Sequence, residues 1–154
     1  MKPIAVDVEA ELDGPIDLVW AILTDWERQG EWMLEASDFV VVSPNREGVG
    51  VEAEATVTIG GISTRDRVRV DVWDPPSHLG IEHLGWVGGR GDLRMSQLPG
   101  GRTKLEWREE LRPPLGPLGA IGLRLFRPLM RRVFERDARV LAEVVRRAAE
   151  GRYS

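Results

Sequence analysis

Asp66, His83 and Glu109 are the residues of this sequence whose types and places suit acid–base chemistry. Strand alternation points each of them inward, among residues that are otherwise apolar or glycine. An unpaired carboxylate is costly in such a setting. If it stays desolvated it should hold its proton more tightly, and groups perturbed in this way mark candidate functional sites. Asp66 and His83 fall diagonally on neighbouring strands, about 7–8 Å apart and within side-chain reach. Such a pair can orient an imidazole as a general base or set it against a ligand oxygen. Glu109 falls three strands from Asp66, so no two-carboxylate dyad is expected. It would act alone, as an acid or base or as an anchor for a hydroxyl. The purely structural alternatives are that Asp66 satisfies His83 or a backbone group at a bend, and that Glu109 reaches solvent or an arginine of the last helix.

The strands that position these residues are set in register by their charges. Counted from the turns, Glu52, Arg69, Glu82, Arg94 and Glu106 fall side by side across five successive strands. Opposite charges alternate there as favourable cross-strand pairs. A one-residue slip would turn the charges inward, which burial opposes. The other face then reads in rows. Val51, Val70, Ile81, Met95 and Leu105 form one; Ala53, Val68, His83, Leu93 and Trp107 the next; Ala55, Asp66, Gly85, Gly91 and Glu109 the third. Met95 and Trp107, with Leu93, Ile81 and Val68, are expected to wall a pocket, and Gly85 and Gly91 to leave volume in it. Apolar walls with a few polar groups are the usual make-up of a small-molecule site. Arg90 and Tyr153 are candidate polar contacts at an opening. His78, beside Pro75-Pro76, is expected to be solvated.

Along the chain, Ile4 to Leu12 alternates as a half-buried strand, and Gly14-Pro15 stops it. Ile16, Val19, Trp20 and Leu23 recur at helical spacing, and Asp25 is placed to cap a second short helix carrying Trp26 and Trp32. A β-branched run follows at 39–42. A meander comes next: 51–59 and 62–73 around the hairpin signal Gly60-Gly61, then 79–87, a turn at Gly88-Gly89, 91–98, and 103–111 after Pro99-Gly100-Gly101. Pro113-Pro114 ends the sheet. The remainder reads as helix, interrupted at Pro128, with Met130, Phe134, Ala138, Leu141, Val145 and Ala148 as one apolar stripe that must lie on the sheet. Gly151 ends it. The arginines of this helix alternate with Glu and Asp, which reads as a solvated face and not a membrane anchor.

Composition narrows the function classes. The chain has 154 residues, a net charge of −4 and no cysteine. Its pI near 5.3 argues against a nucleic-acid binder. Two histidines without cysteine make a transition-metal site unexpected. No phosphate loop or nucleophile elbow is present in context, so no cofactor is expected. No apolar run is long enough to span a bilayer and no leader pattern opens the chain, so a cytoplasmic protein of one domain, residues 1–154, is expected. Nothing in the sequence sets an oligomeric state.

The order of strand, two short helices, six antiparallel strands and a long helix resembles the START-like helix-grip superfamily, also called SRPBCC. Gly14-Pro15-Ile16-Asp17-Leu18-Val19-Trp20, then Leu23-Thr24-Asp25-Trp26 and Trp32-Met33, are similar to the opening of that superfamily. Gly101-Arg102-Thr103-Lys104-Leu105-Glu106-Trp107 is similar to its last strand. The bacterial polyketide cyclase/dehydrase-type branch is the nearest in pattern. The resemblance implies an α+β fold: a seven-stranded curved antiparallel sheet wrapped around the C-terminal helix, with two short helices between strands one and two. It implies a cavity between sheet and helix, with Trp32 at its rim and Gly119 and Gly122 near its mouth. The fold hosts many activities. The implied function is binding of a small hydrophobic molecule (a polyketide, an aromatic metabolite or a lipid), with cofactor-independent cyclisation and dehydration as the chemistry if there is catalysis. A non-catalytic lipid or quinone carrier, and a protein-interaction module, are the alternatives on the same fold.

Overall fold

A computed structural model describes residues 3–112 and 115–151. Strand β1 (Ile4–Leu12) leads into helix α1 (Ile16–Leu23) and a 3₁₀ helix (Trp26–Glu31). Strands β2 (Ala36–Val41), β3 (Glu52–Ile59), β4 (Ile62–Asp74), β5 (His78–His83), β6 (Gly88–Leu98) and β7 (Arg102–Arg112) follow, then the long helix α2 (Gly116–Ala149). The seven strands form one antiparallel sheet in the order β1-β7-β6-β5-β4-β3-β2. This is the expected helix-grip architecture.

Local chemistry explains most of the boundaries. In β1, Ile4, Val6, Val8 and Leu12 are buried while Asp7, Glu9 and Glu11 face out. Gly60 and Gly61 take φ of 60° and 80°, the left-handed pair a two-residue hairpin requires. Asp25 stands at the N-cap of the 3₁₀ helix but makes no side-chain capping bond. The stripe of α2 is buried from Met130 to Val145, with Leu141 and Val145 wholly enclosed and Ala148 half-buried, and Gly151 at φ 78° terminates the helix. Pro113, Pro114 and Tyr153 lie outside the described residues.

The helix is not interrupted at Pro128, which sits within its 34 residues. The carbonyl that Pro128 cannot serve belongs to Arg124, an exposed residue, where solvent can take the bond.

The register departs from expectation at one interface. Ile81 pairs with Gly91, and His83 with Gly89. Ile81 therefore does not oppose Met95, nor His83 Leu93. The turn is the segment 84–87, while Gly88 and Gly89 belong to β6. Gly89 is needed inside the strand, because a Cβ there would collide with the Glu110 carbonyl of β7. The shift is even, so every side chain keeps its face. The charge ladder breaks at this point: Glu82 opposes Arg90, and Arg94 opposes His78. Arg90 lies on the outer face, 2.6 Å from Asp71 and 2.9 Å from Asp92, and is not a contact at the cavity opening. His78 is not simply solvated either, since its Nε2 lies 2.7 Å from Asp92 Oδ1.

The two edges of the sheet are irregular in different ways. On β1, Arg127 Nε donates to the Ala5 carbonyl (3.0 Å) and Arg131 Nη1 to that of Asp7 (3.3 Å). On β2, pairing with β3 slips between Ser37 and Val40, where Asp38 has φ of 55°. No helix among the described residues is long and apolar enough to cross a membrane.

Candidate functional site

A cavity of about 440 Å³ lies between the inner face of the sheet, the 3₁₀ segment and the first half of α2. Trp107, Leu93, Ile81, Val68, Gly91, Trp32 and Gly122 line it, as do Asp66, His83 and Glu109. Met95 does not. It is buried in the core toward the other end of β6, where α1 packs on β6 and β7. Gly85 is not a lining residue either.

The two glycines make room for carboxylates, and Gly91 also lines the cavity. A Cβ on Gly91 would stand 2.5 Å from Glu109 Oε1, and one on Gly85 would collide with Asp66 Oδ1. Bare backbone at Gly91 lets the Glu109 side chain cross β6 toward β5. There it meets His83: Nε2 lies 2.9 Å from Glu109 Oε2, and Nδ1 lies 3.3 Å from Asp66 Oδ2. Trp107 Nε1 donates to the other Glu109 oxygen at 2.9 Å. Glu109 therefore does not act alone, and the two carboxylates are joined through one imidazole.

Burial by itself would strip the proton from His83, but the charges of Glu109 and Asp66 and their hydrogen bonds outweigh it and push the group up to about 10. At neutral pH the ring is an imidazolium with both nitrogens protonated. It has no lone pair with which to act as a base, and both N–H groups can donate. Asp66 Oδ2 rests on the ring, and its Oδ1 accepts no hydrogen bond among the described residues. The trio thus places an acid beside a carboxylate with a free oxygen on one wall of an apolar cavity. Among the described residues no cluster of His, Asp or Glu is arranged to hold a metal ion.

Replacing Gly91 with alanine tests this arrangement. The new methyl group must displace Glu109, so a loss of about 1–3 kcal/mol is expected. The His83 ring should also titrate at lower pH in an NMR titration. An unchanged His83 titration in the variant would refute the positioning role of Gly91.

A second acidic group lies on the cavity wall, and sequence reasoning missed it. Glu35 follows the 3₁₀ segment and its side chain is 6% exposed. It pairs with Asp137 of α2, which is fully buried. Arg136 Nη2 stands 3.2 Å from Glu35 Oε1 and 3.3 Å from Asp137 Oδ1, and the Leu34 amide donates to Asp137 Oδ1. Asp137 Oδ2 has no nitrogen donor among the described residues. A proton on Glu35 supplies one. Burial, then the Asp137 carboxylate, push Glu35 up to about 9. Asp137 carried a legible signal: it stands three residues after Phe134 and four before Leu141, on the apolar stripe. Glu35, in a short connection, had none.

A family model described as polyketide cyclase / dehydrase and lipid transport matches residues 3–150. An uncharacterized protein of Mycobacterium tuberculosis is 29% identical over 122 residues, covering 76% of this chain and 85% of that one. Among solved structures, the Zhui aromatase/cyclase from Streptomyces sp. R1128 superposes with a TM-score of 0.80 at 18% identity, over 94% of each chain. A START superfamily protein from Mycobacterium smegmatis gives 0.79 at 16% identity, over 94% of this chain and 98% of its own. At such identities the two structures speak for the fold alone.

Proposed function

Because the chain belongs to the polyketide cyclase / dehydrase and lipid transport family, we propose that it binds a small apolar molecule bearing carbonyl or hydroxyl groups and moves protons on it without a cofactor. The observation that carries this reading is the protonated His83 held between Asp66 and Glu109 on the wall of a 440 Å³ apolar cavity. Glu109, fixed by Trp107, orients the ring. The looser hydrogen bond, at Nδ1, is the one a ligand oxygen can take over.

In this mechanism His83 polarises a ligand carbonyl while Asp66 takes a proton from the adjacent carbon, giving an enolate whose oxygen is held by the imidazolium N–H. Attack of the enolate carbon on a second carbonyl forms a carbon–carbon bond and restores the first carbonyl, the new alkoxide takes the His83 proton, and Asp66 returns its proton to the ring. For dehydration, Asp66 removes the α-proton, the carbon–oxygen bond breaks, and His83 protonates the departing hydroxyl as water. The cavity contributes by holding the chain folded. The aromatase/cyclase named among the structural neighbours is in keeping with this chemistry.

The test uses 1-tetralone, an aromatic ketone, in D₂O buffer, with loss of its C2 proton signal followed by NMR. The chain should speed the exchange above buffer, and Asp66→Asn or His83→Gln should each lower the enhancement about 10-fold or more. The enhancement should hold level from neutral pH and fall as the imidazolium loses its proton near pH 10. Binding of the ketone without any catalysed exchange would remove the catalytic half of this reading and leave a carrier.

A further inference from the structure

We propose that the first half of α2 is a docking surface for an anionic lipid bilayer, through which the cavity exchanges its ligand. Leu115, Leu118, Ile121 and Leu125 are 72%, 77%, 60% and 77% exposed. Spacings of three and four residues put Leu118, Ile121 and Leu125 on one side of the helix, and Leu115 stands at its N-cap. Such a patch is unusual on a free surface.

The charges along this stretch of chain have one sign. Residues 111–134 hold five arginines (Arg112, Arg124, Arg127, Arg131 and Arg132) and no acidic residue, while the rest of the chain has 16 basic against 25 acidic side chains, net −9. The alternation of Arg with Glu and Asp begins only at Glu135. Beyond it Arg136, Arg146 and Arg147 are paired, the last two with Glu143. Before it, Arg112 at the end of β7 and Arg124 and Arg132 of α2 form no ion pair among the described residues. Apolar residues beside unpaired arginines describe a helix that lies in a membrane interface and is drawn to anionic headgroups. A second copy of the chain fits poorly, because a symmetric contact through this face would set arginine against arginine.

The patch is continuous with the cavity. Leu115, Gly119, Gly122 and Phe126 line the cavity from the same turns of helix, and Trp86, 64% exposed, lines it from the β5–β6 loop. A Cβ at Gly122 would meet nothing within 4 Å, so the helix there stands clear of the sheet. A hydrophobic ligand could pass from bilayer to cavity along this rim without crossing water. The surface would therefore serve the binding activity proposed above, but its own test needs no cavity ligand.

The test is co-sedimentation of the full chain with vesicles of phosphatidylcholine and phosphatidylglycerol in a roughly 7:3 ratio, against pure phosphatidylcholine. The chain should pellet with the anionic vesicles and not the neutral ones, and salt raised from about 0.1 to 0.5 M should release it. The pair Leu118→Ser with Leu125→Ser, and separately Arg124→Ser with Arg132→Ser, should each weaken partitioning about 10-fold or more. Their circular dichroism and tetralone binding should stay as in the wild type, since these side chains are exposed and none lines the cavity. Failure to pellet with anionic vesicles at low salt would overturn the proposal, as would equal pelleting with neutral ones or unchanged partitioning of both variants. Loss of catalysed exchange with vesicle binding intact would count against the function of the cavity and not against this surface.

Discussion

Replacing His83 with leucine is expected to cost roughly 3–5 kcal/mol of folding stability at neutral pH. The variant leaves Asp66 and Glu109 facing each other's field on the cavity wall with no cation between them. The cost should depend on pH in a definite direction. In the folded chain the imidazole holds its proton up to about 10, against an ordinary 6.5 in the unfolded chain. Its stabilisation is therefore complete below about pH 6.5 and is lost as pH rises through about 10. Urea unfolding of both proteins at intervals between these limits should show the wild-type advantage shrinking steadily. A gap of constant size would mean that His83 stabilises by packing and not as a cation, and the acid role assigned to it would fall with that result.

Glu35→Gln should have the opposite sign. Glutamine copies the shape of the protonated acid, its amide can donate to Asp137 Oδ2, and its carbonyl can still accept from Arg136. The folded wild type holds this proton up to about 9, whereas the unfolded chain releases it near 4.5. Wild-type stability therefore declines as pH rises between those values, and the variant escapes the decline. A gain of about 2–3 kcal/mol is expected at pH 7 and little or none at pH 4. The measurement is again urea unfolding at the two pH values. A glutamine variant less stable than wild type at neutral pH would show that the pair is not sharing a proton.

How much of this was legible in the sequence depended on which physical constraint was at work. Gly60-Gly61 fixed the β3–β4 register outright, because a left-handed two-residue turn leaves one pairing, Glu52 with Arg69 and Asp66 with Ala55. The β5–β6 connection offered two glycine-rich stretches. Side-chain parity rejects a slip of one residue but is blind to a slip of an even number. That blindness hid the site. With His83 opposite Leu93, Glu109 is out of reach; with His83 opposite Gly89 and Ile81 opposite Gly91, it is 2.9 Å away. The three chemical residues were visible singly, and their convergence was not. The protonation of His83 followed from that convergence, and of the two roles read for the imidazole it favours the hydrogen bond to a ligand oxygen over the general base. Gly85 and Gly91 read correctly as missing volume, but the volume belongs to carboxylates. Met95 was misplaced for a simpler reason: a row of inward residues can be read from alternation, whereas where the helices leave the sheet uncovered depends on packing across the whole chain.

The irregular margins of the sheet bear on how these molecules behave toward one another at high concentration. An exposed edge strand is a template on which another chain can add a strand. Here the outward carbonyls of Ala5 and Asp7 are already taken by Arg127 and Arg131, and a bulge at Asp38 breaks the run of β2. Neither margin offers an intact row of free backbone groups. Edge-to-edge addition of strands is therefore disfavoured at both margins, and the arginines of α2 guard one of them.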